Sequence, residues 1–361
     1  MLKTADFDYN LPQELIAQKP TFPRDQCRLL VLDRKSGQIE HRHFFEVIDY
    51  LKKGDVLVLN NSKVFKARLF GRIKFLSCPP FKKGDEGGFV EIFLLREVRN
   101  NIWEVLGNPG RKLKAGIRVY FSKTVWCEVI GKNDDKYQVR FNISGDKFQK
   151  FLSRYGHVPV PPYIKQEPKQ FEEYQTVYAK HLGSIAAPTA GFHFTKPLLQ
   201  RLKKKGVKIV FVTLHVGYGT FKPIKTERVE EHKMEAEWVE ITETTAEAIN
   251  RAKKEGGRVI AVGTTTVRAL EGSCLLLQPP LKIRGGEGGV MKFQGEVNIF
   301  ITPEFKFKVI NALVTNFHLP KSTLLLLVSA LASRDVIMKA YREAIKKHYH
   351  FYSFGDAMLI L

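Results

Sequence analysis

The sequence predicts an α/β protein: a layered α/β domain with a mixed sheet, interrupted by an inserted small all-β (barrel-like) domain. In the C-terminal half, helical stretches alternate with β-branched apolar runs, a pattern typical of layered α/β domains. Residues 54–150 instead form short β-rich segments separated by Gly, Asn and Lys turns, as in a small barrel. We therefore expect an α/β domain of residues 1–60 and 151–361 around a barrel of residues 61–150.

End signals and composition assign the elements of the α/β domain. The segment 195–206 has a Thr cap, an early Pro and a terminal Gly, which predict a helix. Ser322 is a candidate N-cap for the leucine-rich segment behind Pro320, which is too short for a membrane span of roughly 20 apolar residues. The remaining predicted elements are strand 207–214, helix 242–257, strand 258–263, strand 307–316, helix 334–349 and the final apolar run 356–361.

Two similar segments interrupt this pattern. "PPFKKGDEGG" and "PPLKIRGGEGG" are rich in Pro, Gly and charge and have no apolar periodicity that builds a core. We interpret residues 77–88 and 278–290 as loop insertions.

The charge of the chain is its most informative bulk property. Lys and Arg number 58 against 37 Asp and Glu, a net charge of +21, which favours a polyanionic partner. Without a basic amphipathic anchor, nucleic acid is favoured over a membrane; the alternative is an organism whose proteins are all lysine-rich. The N-terminal residues lack a signal-peptide core, and the four scattered cysteines form no CxxC pair. We expect a cytoplasmic protein without a metal site or disulfide framework.

Polar side chains follow several of the apolar runs. In open α/β sheets, sites gather beyond the carboxyl ends of strands, so these side chains are candidates for one site. Taken singly, each has an equally ordinary structural role, such as a core histidine or a helix cap. The candidates are His193, His215, Glu237, Thr264, Thr265, Thr266, Arg268, Asn316, His318 and Asp356.

Common catalytic motifs are absent from the sequence. No GxGxxG loop follows a strand, and GxxxxGK[ST], GxSxG and HExxH do not occur. These absences argue against the common types of dinucleotide-binding protein, ATP-binding protein, hydrolase and zinc peptidase.

Taken together, these polar turns and the blocks around them carry a specific resemblance that runs nearly end to end. They include "DFDYNLPQELIAQKP", "GDVLVLNNSKVFKARL", "AAPTAGFHF", "FVTLHVGYGTF", "RVIAVGTTTVRALE", "NALVTNFHLPKSTLLLLVSA" and "FGDAMLI". In these blocks the chain resembles the S-adenosylmethionine:tRNA ribosyltransferase-isomerases of queuosine biosynthesis, which are bacterial and cytoplasmic. The resemblance implies transfer and isomerisation of the ribosyl part of S-adenosylmethionine onto an aminomethyl-deazaguanine at the wobble position of tRNA. Epoxyqueuosine forms, and adenine and methionine leave.

The resemblance also suggests roles, which are hypotheses. The candidate acids and bases are His193, His215 and His318, with Glu237 or Asp356 as a carboxylate partner. Arg268 and the amides of Thr264, Thr265 and Thr266 are candidates to hold the methionine carboxylate or a tRNA phosphate, and Asn316 to read adenine or the target base. The candidate contacts to the tRNA backbone are Arg111, Lys112, Lys114 and Lys203 to Lys205. We expect S-adenosylmethionine as co-substrate, no metal, no membrane and a monomer.

One block departs from the family pattern. The family's "H-x-M-H-x-E" block stands here as His232 to Glu237, with Glu235 in place of the second His. A tRNA-binding protein of this family with impaired catalysis is therefore an alternative. An ordinary methyltransferase is a third reading, disfavoured because the chain lacks a Gly-rich cofactor loop.

Overall fold

The computed structural model describes residues 2–74, 88–221, 224–277 and 289–361. The strands in chain order are β1 (Arg28–Leu32), β2 (Ile39–His43), β3 (Val56–Asn60), β4 (Ser62–Val64), β5 (Arg68–Lys74), β6 (Phe89–Arg99), β7 (Ile102–Asn108), β8 (Arg118–Tyr120), β9 (Trp126–Asn133), β10 (Lys136–Phe141), β11 (His181–Ser184), β12 (Lys208–Leu214), β13 (Glu237–Ile241), β14 (Val259–Val262), β15 (Phe293–Val297), β16 (Ala312–Asn316) and β17 (Ala357–Ile360). The helices are α1 (Val47–Tyr50), α2 (Gly145–Tyr155), α3 (Lys196–Lys204), α4 (Glu243–Lys254), α5 (Thr264–Leu276), α6 (Thr323–Ala332) and α7 (Arg334–Lys346).

A nine-stranded mixed sheet organises the larger unit, in the order β15-β13-β12-β3-β14-β16-β17-β1-β2. The neighbours β12, β3, β14 and β16 are mutually parallel, so their carboxyl ends meet at one edge. Strand β17 is antiparallel to β16 and parallel to β1. A ligand at the carboxyl edge would therefore meet the residues that follow four adjacent strands.

Both faces of this sheet are covered, which explains why its central strands carry apolar side chains on both faces. In β3, Val56 and Val58 belong to one core cluster and Leu57 and Leu59 to the other. Helices α4 to α7 cover the first face, and α1 and α3 cover the second. A side chain such as Leu57 is fully buried, so its replacement by Ala should cost about 2–5 kcal/mol. The predicted layered α/β architecture with a mixed sheet is confirmed.

The smaller unit is a closed antiparallel barrel of strands β10-β7-β6-β5-β8-β9. It spans 64–160, and residues 1–63 with 161–361 form the other compact unit. The unit extends past the predicted limit at residue 150 because α2 belongs to it: Phe148 packs 4.7 Å from the ring of Phe141, and Phe151 lies 5.9 Å from Phe121. The two predicted loop insertions lie outside the described residues except for their last one or two positions.

Helix caps show why several predicted elements form where they do. The hydroxyl of Thr195 accepts a hydrogen bond from Leu198 N at the start of α3, and Ser322 does the same for Leu325 N at the start of α6. Both caps and the predicted positions of β12, α4, β14 and α7 are confirmed. Within the described ranges, none of the helices combines the length and the apolar composition that crossing a bilayer requires.

One predicted strand is shorter than expected. The segment 307–316 pairs only from Ala312, because the amides of Lys308, Val309 and Ile310 donate to the buried carboxylate of Glu271 on α5, at 2.9 to 3.1 Å. A carboxylate that gathers three backbone N–H groups competes with ladder formation. The prediction that the strand begins at residue 307 was wrong for this reason.

Candidate active site

A cleft opens at the carboxyl edge of the sheet, where β14 and β16 end. It encloses about 550 Å³, counted with the part open to solvent. Its walls come from the first turn of α5, the end of β16 and the segments around residues 188 and 352. The lining residues are Tyr163, Ala187, Pro188, Thr189, Ala190, Val216, Gly263, Thr264, Thr265, Thr315, Asn316, Phe317, His318, Leu319, Leu324, Tyr352 and Ser353.

One wall is the N-terminus of α5. Gly263 joins β14 to this helix with φ +86°, a conformation that only glycine adopts without strain. Thr264 and Thr265 line the cleft, while Thr266 turns its hydroxyl back to donate to Val262 O at 2.6 Å. The first N–H groups of a helix point outward along its axis and carry partial positive charge, which favours an anionic group. This wall therefore suits a carboxylate or a phosphate.

Thr189 and Asn316 of the cleft lining begin a hydrogen-bonded chain that continues behind them to His193 and Cys27, and we call Cys27, Thr189, His193 and Asn316 the neutral cluster. Asn316 Nδ2 donates to His193 Nε2 at 3.1 Å, and the other nitrogen of that ring, Nδ1, lies 3.0 Å from Cys27 Sγ. Thr189 Oγ1 donates to Asn316 Oδ1 at 3.3 Å. The amide also donates to Tyr352 O at 3.0 Å, so both ends of the Asn316 side chain are held.

Burial keeps this cluster uncharged. Burial, with a smaller contribution from the charge of Arg24, lowers the pKa of His193 to about 3. A neutral ring that accepts at Nε2 must carry its proton on Nδ1, so Nδ1–H donates to the Cys27 sulfur. Burial also raises the pKa of the Cys27 thiol well above its ordinary value, so sulfur stays protonated. The tautomer of His193 and the orientation of Asn316 thus fix each other.

His318 is held separately in the lining of the cleft. Its Nε2 lies 2.9 Å from Thr315 Oγ1, and its backbone N–H donates to the hydroxyl of Tyr341 at 2.9 Å. The hydroxyl of Tyr9 donates to its carbonyl. Burial lowers the pKa of His318 to about 3, so at neutral pH the imidazole is an uncharged acceptor and donor that lines the cleft.

A second group of side chains, which we call the ion-pair cluster, comprises His215, Glu237 and Arg268. The guanidinium of Arg268 and the carboxylate of Glu237 are buried and form an ion pair. Glu237 Oε1 also accepts from Gly217 N at 2.9 Å, and Arg268 Nη2 donates to Glu235 O at 3.5 Å. Arg268 is one turn along α5 from Thr264, so this pair braces the helix whose first turn forms the cleft wall.

His215 follows β12 and packs between an aromatic ring and bare backbone. Its ring stacks on Trp238 with centroids 5.0 Å apart. A side chain at Gly183 would place its Cβ 2.7 Å from His215 Nε2, so the glycine permits this close approach. Burial, with a smaller effect from His181, lowers the pKa of His215 to about 4. Its Nδ1 is buried and, among the described residues, has no hydrogen-bond partner.

Comparison with known protein families identifies the family to which the chain belongs. The family model described as "Queuosine biosynthesis protein" matches residues 4–360. The chain belongs to the queuosine biosynthesis protein family. The resemblance that the sequence blocks indicated is confirmed.

Individual proteins of this family match the chain over their whole length. It is 49% identical over 362 residues to an S-adenosylmethionine:tRNA ribosyltransferase-isomerase of Sulfurihydrogenibium sp., which covers 100% of both chains. A protein of the same name from Acetivibrio thermocellus is 48% identical, over 99% of this chain and 100% of that protein. The crystal structure of an S-adenosylmethionine tRNA ribosyltransferase from Thermotoga maritima matches with a TM-score of 0.54 and 38% identity, over 99% of this chain and 100% of that one.

The structure of this family member brings together most, but not all, of the residues selected from the sequence. Thr264, Thr265, Asn316 and His318 line one cleft, and His193 contacts it through Asn316. His215 and His318 follow strands three places apart in the sheet, which separates their strand ends by roughly 14 Å. The two histidines thus follow different strands at one edge, and of the two it is His318 that belongs to the lining of the cleft.

Asp356 has a different setting. Its carboxylate accepts from Arg28 N at 2.8 Å and from His350 N at 2.7 Å, which joins the starts of β1 and β17. Burial raises the pKa of Asp356 despite these bonds. The backbone amides occupy its oxygens. The predicted tRNA contacts Arg111 and Lys114 are exposed and Lys112 is half-buried, all in the barrel unit.

Sequence reasoning missed Cys27 and the aromatic side of the cleft. Tyr163 and Tyr352 pack with ring centroids 4.7 Å apart, and the Tyr163 hydroxyl lies 2.7 Å from Ser353 Oγ. Cys27 opens the segment "CRLLVLDR" and Tyr163 lies in "GHVPVPPYI", two further blocks in which the sequence resembles the family. Their presence in these blocks was the available signal, but nothing local ties them to residues so distant in the chain.

Proposed function

We propose that this protein transfers the ribosyl moiety of S-adenosylmethionine to an aminomethyl-deazaguanine at the wobble position of tRNA and isomerises it. The products are epoxyqueuosine-tRNA, adenine and methionine. The observation that carries the proposal is the 49% identity, over the full length of both chains, to a protein named for this activity. The cleft supports it, because a helix N-terminus, aromatic rings and polar groups line one space at the carboxyl edge of the sheet. We further propose that the protein acts as a monomer in the cytoplasm, with no membrane and no metal.

The first turn of α5 is the part of the cleft that fits the methionine carboxylate. The amides of Thr264 and Thr265 would bind it, with the hydroxyls of the same residues beside them. Arg268 is committed to Glu237 in the interior, so we assign it to holding α5 rather than to the ligand. Tyr163 and Tyr352 supply aromatic surface suited to a purine ring.

The protonation states favour a base over an acid in the cleft. Because burial lowers the pKa of His193 and of His318 to about 3, both rings are uncharged at neutral pH and neither is an imidazolium that could serve as the acid. His318 lines the cleft, so we propose it as the group that accepts a proton from the substrate sugar. His193 has both ring nitrogens engaged and acts as a positioning residue for Asn316.

Asn316 is proposed to orient a base in the cleft. Its Oδ1 receives the hydroxyl of Thr189, and its Nδ2 is saturated by His193 and Tyr352. The remaining lone pair on Oδ1 is the group left for a ligand, and it suits an N–H donor such as an exocyclic amine. Glu237 holds the backbone at Gly217, and we propose that it shapes the cleft without reacting.

The test is incubation of the protein with S-adenosylmethionine and tRNA that carries the aminomethyl-deazaguanine. Free adenine together with the epoxyqueuosine mass would support the proposal, and S-adenosylhomocysteine would indicate a methyltransferase instead. Tight tRNA binding without any product would favour the binding-only alternative that Glu235 raises. Glu235 packs against Gly219, so the variant Glu235→His would then ask whether this one side chain blocks turnover.

A further inference from the structure

A groove with a positively charged lining lies at the edge of the sheet, apart from the cleft. It runs between the edge strand β2 and helix α7 and encloses about 920 Å³, counted with the part open to solvent. Apart from Ile39, its lining is polar or small. We call it the basic groove, and its lining residues are Ser36, Gly37, Gln38, Ile39, His41, Lys339, Arg342, Glu343 and Lys346.

Three cations on α7 dominate this lining. Lys339, Arg342 and Lys346 are spaced by three and four residues, so they share one face of the helix and extend over roughly 10 Å. All three are exposed, and across the described ranges none of them has an ion-pair partner. Elsewhere on this unit, Arg42 lies 2.8 Å from Glu40 and Lys321 lies 2.7 Å from Asp8.

The acidic side chain of the groove does not neutralise this row. Glu343 Oε1 lies 3.7 Å from His41 Nε2, and His41 Nδ1 lies 2.8 Å from the hydroxyl of Tyr349. Like charges at these helical spacings repel one another in the free protein. Glu343, four residues after Lys339 and three before Lys346, offsets part of this repulsion, and the row keeps a net positive charge that a bound polyanion would neutralise.

The groove leads toward the edge of the sheet that carries the cleft. Beyond Lys346, the next cation is Arg28, whose Nη1 donates to Lys347 O at 2.6 Å. Arg28 precedes Leu29, which pairs with Ala357, and Ala357 pairs with Asn316 at the end of β16. The start of β1 thus lies two strands, or roughly 10 Å, from the end of β16.

We propose that the basic groove binds the phosphate backbone of the tRNA substrate, with Lys339, Arg342 and Lys346 each facing a phosphate. The inference rests on the proposed function for the identity of the nucleic acid. An RNA backbone fits the observations better than a protein partner, because three cations in one row match a repeating anion and Ile39 is the one apolar residue in the lining. Phosphates bound here would run toward the edge where the wobble base must enter the cleft.

The experiment compares two triple variants that each remove one Arg and two Lys. The groove variant is Lys339→Gln, Arg342→Gln and Lys346→Gln. The matched control is Lys208→Gln, Arg251→Gln and Lys254→Gln, on exposed positions of β12 and α4, and β12 lies six places from β2 in the sheet. Affinity for the tRNA is measured across a range of salt concentrations, together with steady-state adenine release.

We expect the groove variant to lower the slope of log affinity against log salt by about two to three. Its affinity near 0.15 M salt should fall on the order of 10- to 100-fold, and its KM for tRNA should rise in step. The kcat at saturating tRNA and the KM for S-adenosylmethionine should stay unchanged. The control should change the slope by less than about one. If the triple variant does not fold, Lys339→Gln and Lys346→Gln alone should each lower the slope by about one.

Two outcomes would overturn the inference: a groove variant that binds tRNA like the wild type, or a control that loses as much affinity as the groove variant. The second outcome would mean that only the net charge matters. Failure of the proposed function would look different, because the wild-type protein itself would release no adenine whatever its affinity for tRNA.

Discussion

The neutral cluster and the ion-pair cluster lie at the same edge of one sheet, and they meet the cost of burial in opposite ways. Cys27, His193 and Asn316 are uncharged, and each exchanges hydrogen bonds with the next. Glu237 and Arg268 bury two opposite charges against each other. Removing one side chain from an uncharged hydrogen-bonded cluster costs a modest amount of stability. Removing one partner of a buried ion pair costs more, because the other charge stays buried without a counter-charge or water.

This difference predicts separate roles: the neutral cluster orients the ligand, and the ion-pair cluster supports the fold. The neutral cluster faces the cleft and fixes which atom of Asn316 a ligand meets, so its members should affect turnover more than stability. The ion-pair cluster braces α5 from inside, so its members should affect stability first. The four predictions below test this division, from the largest expected effect to the smallest.

Breaking the ion pair should have the largest effect. Arg268→Met leaves the Glu237 carboxylate buried without its cation and should lower the free energy of unfolding by about 3–5 kcal/mol. Urea denaturation measures the loss. The double variant Arg268→Met, Glu237→Gln should recover a large part of it, since no charge is then stranded. A single variant as stable as the wild type would show that this pair does not support α5.

Removing the amide of the neutral cluster should act mainly on catalysis. Asn316→Ala deletes the group held by His193 and Tyr352 and should lower kcat/KM for adenine release on the order of 100-fold. Asn311→Ala is the matched control at the other end of β16, where Asn311 Oδ1 accepts from Val259 N at 2.8 Å. The control should lose stability and keep kcat/KM; equal losses in the two variants would contradict the assigned role of Asn316.

Acid should destabilise the fold through the two buried histidines. Folding lowers the pKa of His193 and of His318 from about 6.5 to about 3, so between these values the unfolded chain binds more protons than the folded one. Stability therefore falls as pH falls below about 6.5, by roughly 1.4 kcal/mol per pH unit for each histidine. Urea midpoints measured from pH 7 to pH 4 should show this slope together with the contribution of His215, whose pKa is lowered to about 4, and His318→Gln should remove about a third of the total. A slope that the variant leaves unchanged would argue against a neutral His318.

The smallest effect should come from Cys27. Cys27→Val fills the site with a somewhat larger apolar side chain and removes the sulfur that accepts from His193 Nδ1, so kcat should fall several-fold, roughly 1 kcal/mol, with the KM for S-adenosylmethionine little changed. Cys27→Ser restores a polar partner and should recover most of the rate. If valine and serine behave alike, the sulfur does not set the tautomer.

The sequence was most informative where structure is local. The caps at Thr195 and Ser322 and the alternation of helices and strands depend on residues within a few positions of one another, and they placed the elements correctly. The shared carboxyl edge of the sheet also followed, since parallel strands must align. Distant partners could not be predicted: Cys27 meets His193 across 166 positions, and the amide of Arg28 meets Asp356 across 328.

The late start of β16 has the same origin. The apolar pattern of residues 307–316 is that of a strand, and no local signal reveals that Glu271, 37 to 39 positions earlier, takes the first amides. The choice of a buried carboxylate over a neighbouring strand is a tertiary effect that overrides β-propensity.

Glu271 has one more consequence, which concerns how slowly parts of the chain open. Residues 308–310 belong to no helix or strand, so solvent hydrogen would ordinarily replace their amide hydrogens quickly. Here the carboxylate of Glu271 is buried and accepts from all three amides, so these amides become free to exchange only when α5 separates from residues 308–310. These loop amides should exchange with deuterium as slowly as those of β16. Residues 308–310 and α5 would then open as one cooperative unit, and the two walls of the cleft, at the end of β16 and the start of α5, would open together.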